Sequence, residues 1–144
     1  RVVSASTIPS FSASRLAQAI PAALKGGDWM VSSQTGSGKT AAFLLPMLHR
    51  LLHAGAPAQT KVATPRAVVL CPTRELAQQV AADAIDLMRG VGDALRADSK
   101  HHPLRDSARG LRVATVVGGM PFGKQLFDLR GAQLVIATPG RLLD

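Results

Sequence analysis

Aromatic residues are scarce in this sequence: there is no tyrosine, one tryptophan and four phenylalanines among 144 residues. So few rings leave few platforms on which nucleic-acid bases could stack. The apolar side chains are instead those of Ala, Val, Leu and Ile, which suit strands packed under helices. With 47% hydrophobic and 18% charged residues, the composition is that of a globular protein and excludes a disordered chain.

Cysteine is equally scarce, because Cys71 is the only one. A single thiol excludes an internal disulfide and suits a reducing compartment. Cys71 ends the apolar run 67–71, which predicts a buried structural thiol and not a nucleophile. The sequence also lacks a secretory signal and any apolar stretch approaching the ~20 residues that span a membrane. We therefore expect a soluble, cytoplasmic protein with no membrane partner.

Acidic residues are outnumbered, since nine Asp and Glu stand against seventeen Lys and Arg, for a net charge of +8. Cations that contact phosphates release counterions, so this balance favours a polyanionic partner. An excess of arginine is equally compatible with a role in solubility alone. Charge by itself leaves these two interpretations open.

Apolar runs alternate with helical periodicities along the chain. The Ser-rich residues 1–11 predict a flexible arm, and residues 12–144 predict a single domain. The predicted strands are 29–32, 67–71, 111–117 and 133–137, and the predicted helices start near residues 12, 39, 74, 124 and 138. This alternation predicts an α/β fold in which a parallel sheet is flanked by helices. Function is then expected in the loops that leave the carboxyl ends of the strands.

Several elements carry more specific expectations. Pro21 should kink or break the first helix, because proline cannot donate a helical hydrogen bond. The run 67–71 shows no polar alternation, as expected of a strand that is covered on both faces. The residues expected on the buried sides of the helices starting near 39 and 74 are Phe43, Leu44, Leu48, Leu51, Leu52, Leu76, Val80, Ala84 and Leu87.

Residues 90–110 interrupt the alternation, because this connection is longer than is usual between two elements. Its charged residues predict a solvated loop. The pair His101 and His102 could also bind a metal, although no cysteine or third ligand stands nearby in the sequence.

The strongest functional pattern is Ser-Gln-Thr-Gly-Ser-Gly-Lys-Thr between a predicted strand and a predicted helix. Glycines let backbone N–H groups curl around a phosphate, and a helix N-terminus adds its dipole. In such a P-loop, Lys39 reaches the β- and γ-phosphates and the Thr40 hydroxyl binds magnesium. The predicted nucleotide-binding residues are Ser33, Gln34, Thr35, Gly36, Ser37, Gly38, Lys39 and Thr40. A P-loop predicts an NTPase without choosing among kinases, GTPases, transporters and motors.

Four ordered segments resemble motifs of the DEAD-box RNA helicases. They are Thr35–Thr40 for motif I, Pro72–Gln79 for motif Ia, Gly118–Gly119 for the glycine pair and Thr138–Arg141 for motif Ib. The resemblance runs from about Ala19 to the last residue. It implies a RecA-like P-loop NTPase domain that uses ATP and Mg²⁺.

The resemblance further implies that motif Ia, the glycine pair and motif Ib hold the sugar-phosphate backbone of RNA. The implied RNA-binding residues are Pro72, Thr73, Arg74, Gly118, Gly119, Thr138, Pro139, Gly140 and Arg141. Their positions agree, because helix N–H groups and arginines suit phosphates, and backbone contacts carry no sequence information. Thr73 and Thr138 are equally suited to capping helices, with Pro139 at the first helical position, and the two roles are compatible.

The sequence departs from the family's pattern in two places. Arg15 and Leu16 stand where the adenine-reading Q motif has Ile and Gln, so selection of adenine is left open. The sequence also ends at Asp144, before the acidic DEAD segment, the Ser-Ala-Thr motif and the second RecA-like domain with its arginine fingers. We therefore expect a fold that is incomplete at its C-terminal end, within a parent protein that is an ATP-dependent RNA helicase.

By itself, this chain is expected to bind nucleotide and RNA backbone without turnover. Its partners would be RNA and the second RecA-like domain of the same parent protein. Two alternatives stay open at this point: a non-enzymatic module that binds nucleotide or RNA, and a DNA-directed P-loop motor.

Overall fold

The computed structural model describes residues 2–3, 12–31, 39–55, 65–98 and 101–144, with side chains from residue 18 onward. Two compact units divide the chain, residues 1–50 and residues 51–144. None of the helices in these ranges is both long enough and apolar enough to cross a membrane.

The first unit contains a pair of two-residue parallel strands and helical segments. Strand β1 (Val2–Val3) pairs with strand β2 (Met30–Val31), and helix α1 (Ser12–Leu24) lies between them in the sequence. Helix α2 (Lys39–His53) begins where the sequence predicts a helix to start. The flexible arm predicted for residues 1–11 falls mostly outside the described residues and stays a prediction.

Pro21 lies inside α1, which continues past it, so of the two predicted effects the break does not occur and the kink stays a prediction. A proline removes its own N–H from the helical ladder and its ring crowds the carbonyl four residues before it, but the chain can stay helical on either side. The helix ends at Leu24, and the chain then turns at Gly26 and Gly27, which adopt φ of 89° and 95°. Glycine tolerates this left-handed region without a steric penalty, so these two residues let the chain turn away from the end of the helix.

The second unit holds seven further elements. They are β3 (Ala67–Leu70), α3 (Arg74–Asp98), α4 (Arg105–Gly110), β4 (Val113–Val116), α5 (Phe122–Leu129), β5 (Leu134–Ala137) and α6 (Pro139–Leu143). The three strands form a parallel sheet in the order β3-β5-β4. Helix α3 packs on β4 and β5, and α5 packs on β4. The predicted α/β architecture with a parallel sheet is confirmed.

Strand β5 is the centre of the core, because it is paired on both sides. All four of its residues are buried. Leu129, near the end of α5, packs against Val116, Val135 and Ala137. The buried strand β5 therefore fixes the positions of β3 and β4 and of the loops that follow the three strands.

Strand β3 is covered less completely than its apolar sequence predicts. Val68 is 47% exposed and Leu70 is 58% exposed, although the register sets them beside the buried Val135 and Ala137. Within the described sheet, β3 is an outer strand, and α5 lies over β4. The expectation that both faces of this run are covered is therefore wrong.

Two large side chains expected in the core lie at the surface. Phe43 in α2 and Leu76 in α3 are exposed, whereas their neighbours Leu44 and Ala77 are fully buried. Successive side chains on a helix point about 100° apart. A residue next to a buried one can therefore lie outside the buried face. The buried residues of α3 are Ala77, Val80, Ala81 and Ala84.

Residues 90–110 are mostly helical, so the prediction of a solvated loop is wrong. Helix α3 continues to Asp98, and α4 packs against it. Leu87, Val91 and Leu95 follow one another at a helical spacing of four residues. Gly90 and Gly92 suggest a break in the sequence, but the helix continues through both of them.

Charged residues along this part of the chain pair with partners one turn away. Arg89 lies 3.4 Å from the carboxylate of Asp86, and Arg96 pairs with Asp93. His102 Nε2 lies 3.7 Å from the carboxylate of Asp98, and its Nδ1 accepts a hydrogen bond from the backbone N–H of Leu104. Among the described residues, no group of three or more His, Cys, Asp or Glu side chains could hold a metal ion.

Candidate nucleic-acid interface

Three loops leave the same edge of the sheet, because parallel strands share one carboxyl edge. The register aligns the last residues of the strands, Leu70, Ala137 and Val116. Just beyond them, the Cys71 N–H donates to the Ala137 carbonyl at 2.8 Å, and the Thr138 N–H donates to the Val116 carbonyl at 3.0 Å. The structure thus brings all nine residues of the implied RNA-binding set to one edge.

The first loop enters α3 through Thr73. The Leu76 N–H donates to Thr73 Oγ1 at 3.2 Å, which is the hydrogen bond of an N-cap. The predicted capping role of Thr73 is therefore confirmed. Arg74 begins the helix, with its side chain about half exposed and one guanidinium nitrogen 3.4 Å from the Glu75 carboxylate. An exposed pair of this kind contributes little energy and leaves the arginine able to turn to another anion.

The second loop contains the glycine pair, and Gly119 adopts a φ of 77°. A Cβ added at Gly119 would lie 2.8 Å from an Nη atom of Arg74, so the guanidinium rests directly against this bare backbone. A Cβ at Gly118 would meet nothing within 4 Å. The first and second loops are therefore in contact, with an arginine beside an exposed stretch of backbone.

The third loop enters α6 at Thr138, with Pro139 in the first turn as predicted. The Thr138 side chain makes no cap hydrogen bond, so its predicted capping role is wrong. Arg141 is held from two sides. Its Nε lies 3.6 Å from the carboxylate of Asp144, and its guanidinium carbon lies 6.0 Å from the centre of the Phe122 ring. That distance is within the reach of a cation–π interaction.

Gln125 in α5 is a functional candidate that sequence analysis misses. Its side chain is 3% exposed, and its Oε1 accepts the Val117 N–H at 3.1 Å. Its Nε2 donates to the carbonyls of Val117 at 2.9 Å and Met120 at 3.3 Å. The signal in the sequence is its spacing, since Gln125 stands three residues after Phe122 and four before Leu129, in line with apolar residues.

Cys71 directly follows β3, at the start of the first loop, and is buried. This burial raises the pKa of the thiol above its ordinary value. A thiol that resists ionisation is a poor nucleophile, which agrees with the structural role predicted for it.

The predicted nucleotide-binding residues are described only in part. Ser33, Gln34, Thr35, Gly36, Ser37 and Gly38 lie outside the described residues. Lys39 and Thr40 are the first two residues of α2, with Lys39 exposed and Thr40 partly buried. The Lys-Thr pair therefore begins a helix, as a P-loop requires.

Comparisons with known proteins agree with this fold. The sequence model of the DEAD/DEAH box helicase family matches residues 16–144. The ATP-dependent RNA helicase RhlB of Pseudomonas syringae is 42% identical over 123 residues, which cover 84% of this chain and 26% of that protein. RhlB of Xanthomonas oryzae is 42% identical over 126 residues, which cover 87% of this chain and 19% of that protein. The chain thus spans about a quarter or less of the length of these relatives.

Solved structures give the same result. A hypothetical ATP-dependent RNA helicase from Sulfolobus tokodaii superposes with a TM-score of 0.61 at 35% identity, covering 90% of this chain and 30% of that one. The RNA helicase Prp28 from Chaetomium thermophilum, bound to ADP, superposes with a TM-score of 0.60 at 37% identity, covering 88% of this chain and 26% of that one. These neighbours share the RecA-like α/β fold, and the chain belongs to the DEAD/DEAH box helicase family.

Proposed function

We propose that this chain is the part of an ATP-dependent RNA helicase that binds nucleotide and holds the RNA backbone. The observation that carries the proposal is the convergence of three loops at the carboxyl edge of the sheet. Open parallel sheets bind their ligands at this edge. The RhlB proteins and the Sulfolobus protein are described as ATP-dependent RNA helicases, which supports RNA as the nucleic acid.

At this edge the RNA is held by its phosphates. The exposed Arg74 and the bare backbone of Gly119 lie side by side, so one phosphate can be met by a guanidinium and by backbone N–H groups. Arg141, steadied by Phe122 and Asp144, adds a second cation at the neighbouring loop. All of these groups contact phosphate or sugar and not base edges, so binding should tolerate any RNA sequence.

The nucleotide is held by the loop 33–38 together with Lys39 and Thr40. A lysine and a threonine at the start of α2 suit the donor set of a Mg–ATP site, because the lysine reaches phosphate oxygens and the hydroxyl binds a hard cation. Bound Mg²⁺ would neutralise charge on the phosphates. Prp28, which shares this fold, was solved with ADP, which supports an adenine nucleotide here.

We propose that the acidic DEAD segment and a second RecA-like domain of the parent protein complete the catalytic site. This chain alone should bind without hydrolysing ATP, because an arginine finger by itself contributes about 10³–10⁵ in rate.

The proposal is tested by ATP hydrolysis of the full-length protein, measured with single-stranded RNA, with DNA of the same sequence and without nucleic acid. RNA should stimulate hydrolysis and DNA should not. Lys39→Ala should reduce the stimulated rate at least ~100-fold, because it removes the cation that meets the transferred phosphate.

The matched control is Lys25→Ala, which removes the same charge from an exposed position just after α1. It should leave the stimulated rate within about twofold, as is usual for a surface substitution. Stimulation retained in Lys39→Ala would refute the assignment of this loop. Equal stimulation by DNA would favour a DNA-directed motor.

A further inference from the structure

The turn that holds the glycine pair has little means of fixing its own shape. Neither Gly118 nor Gly119 has a side chain, and glycine loses more conformational freedom on ordering than any other residue. A turn that had to become ordered only when RNA arrived would weaken binding by that entropy. Some group outside the turn must therefore hold it in advance.

Gln125 is placed to hold this turn. Its amide bonds to both the N–H and the carbonyl of Val117, immediately before the glycine pair. It also donates to the carbonyl of Met120, immediately after the pair. One buried side chain thus fixes the backbone on both sides of Gly118 and Gly119. Both amide hydrogens and the amide oxygen are used, so the buried group is satisfied.

Packing alone does not explain a glutamine at this position. In α5 the polar Gln125 is 3% exposed, whereas the apolar Leu126 and Phe127 are 47% and 66% exposed. A leucine in place of Gln125 would bury more apolar area and would need no partners. The glutamine is therefore explained by the backbone groups that it bonds.

We propose that Gln125 is a positioning residue for RNA binding, which holds the Gly118–Gly119 turn so that its backbone N–H groups and Arg74 meet the same phosphate. Its own side chain is too buried to contact RNA, so it acts through the turn. This inference rests on the proposed function of the carboxyl edge.

The amino edge of the sheet, where the strands begin, offers a matched control. Gln133 is also buried, at 4% exposed. Its side chain accepts the Arg112 N–H at 2.9 Å and donates to the carbonyl of Gly131 at 2.6 Å. Gly131, like Gly119, has a positive φ, of 75°. Gln133 thus also bonds to backbone groups beside a left-handed glycine, through two hydrogen bonds instead of three, but none of the implied RNA-binding residues lies at this edge.

The test compares Gln125→Met and Gln133→Met in the full-length protein, since methionine keeps the volume and removes the hydrogen bonds. RNA-stimulated ATP hydrolysis is titrated with RNA, and thermal unfolding is measured in parallel. Both variants should lower the melting temperature. Gln125→Met should raise the RNA concentration for half-maximal stimulation about tenfold, and Gln133→Met less than about twofold. The KM for ATP and the rate at saturating RNA should not change in either.

Equal shifts in the two variants, or an unshifted and folded Gln125→Met, would overturn the positioning role. If Gln125→Met does not fold, Gln125→Glu gives a second test. A carboxylate accepts from Val117 N–H but cannot donate, whereas a protonated carboxyl does both, and burial raises the pKa of such a group. Gln125→Glu should need a higher RNA concentration than wild type for half-maximal stimulation, and this ratio should shrink between about pH 8 and about pH 6. A ratio that is independent of pH would overturn the proposal.

The failure of the proposed function has a different signature. In that case the wild-type protein itself shows no stimulation by RNA, and no comparison of glutamine variants arises. Stimulation of the wild type that is weakened by Gly119→Ala but not by Gln125→Met would refute the positioning role alone.

Discussion

The carboxyl edge of the three-stranded sheet, where its strands end, and the amino edge, where they begin, are built alike. They differ in what they present to a ligand. At the carboxyl edge the chain leaves strands and begins helices, at Arg74, Phe122 and Pro139. At the amino edge it arrives from helices that end at Gly110 and Leu129. Helices present unpaired N–H groups where they begin and unpaired carbonyls where they end. Only the carboxyl edge therefore suits an anion.

Both edges contain a glycine of positive φ beside an arginine, and both contain a buried glutamine that bonds to the nearby backbone. A Cβ at Gly119 would lie 2.8 Å from the Arg74 guanidinium, whereas one at Gly131 would lie 3.7 Å from that of Arg112. Because both edges contain them, the left-handed glycine and the buried glutamine are parts of the scaffold. Function depends on the polarity of the adjoining helices and on how closely the arginine approaches the backbone.

The largest effect is expected from removing the arginine at the carboxyl edge. Arg74→Ala should raise the RNA concentration for half-maximal stimulation of ATP hydrolysis about 10- to 100-fold, because a hydrogen bond to a charged group contributes about 1.5–3 kcal/mol. The measurement is an RNA titration of the full-length protein at fixed ionic strength.

Arg130→Ala is the matched variant, since it removes an exposed arginine between α5 and β5, at the amino edge. It should change the same RNA concentration by less than about threefold, through net charge alone. If the two variants were equally impaired, RNA binding would depend only on total charge and the contrast between the edges would fail.

An intermediate effect is expected from alanine at the two left-handed glycines. Gly119→Ala and Gly131→Ala should each lower the free energy of unfolding by about 1–2 kcal/mol, because L-residues pay a steric penalty in this region. Only Gly119→Ala also displaces Arg74, so only this variant should weaken RNA binding. Denaturant unfolding and RNA titration of both variants separate the two effects. A loss of RNA binding in Gly131→Ala would indicate that the amino edge takes part.

Much of this comparison follows from the sequence. The alternation of apolar runs and helical periodicities predicts a parallel sheet, and a parallel sheet forces residues as distant as Thr73 and Thr138 to one edge. The turn at Gly118–Gly119 is equally predictable, because only glycine adopts a positive φ without strain.

Other features depend on tertiary contacts that the sequence does not encode locally. The exposure of Val68 depends on what lies over β3, and the run 67–71 is apolar in either case. The helix through Gly90 and Gly92 survives because α4 packs against α3, which outweighs the weak helix propensity of glycine. Gln125 escapes prediction because a glutamine in a helix is ordinarily exposed, and its partners are backbone groups of another segment.

The smallest effect is expected at Cys71, which joins β3 to the first loop of the carboxyl edge. Burial raises the pKa of its thiol, so in alkaline solution the unfolded chain loses this proton at a lower pH than the folded protein. Between the two pKa values the folded state binds more protons. The free energy of unfolding should then fall as pH rises through the unfolded thiol pKa of about 8.5.

Cys71→Ala should remove this part of the alkaline slope, measured by denaturant unfolding at a series of pH values. The same burial should make the wild-type thiol react with iodoacetamide only as fast as the protein opens locally. The unfolded protein in denaturant supplies the reference rate. A thiol that reacted in the native protein at the unfolded rate would mean that β3 separates readily from β5. The carboxyl edge would then be assembled by its ligand instead of being held ready by Gln125 and the sheet.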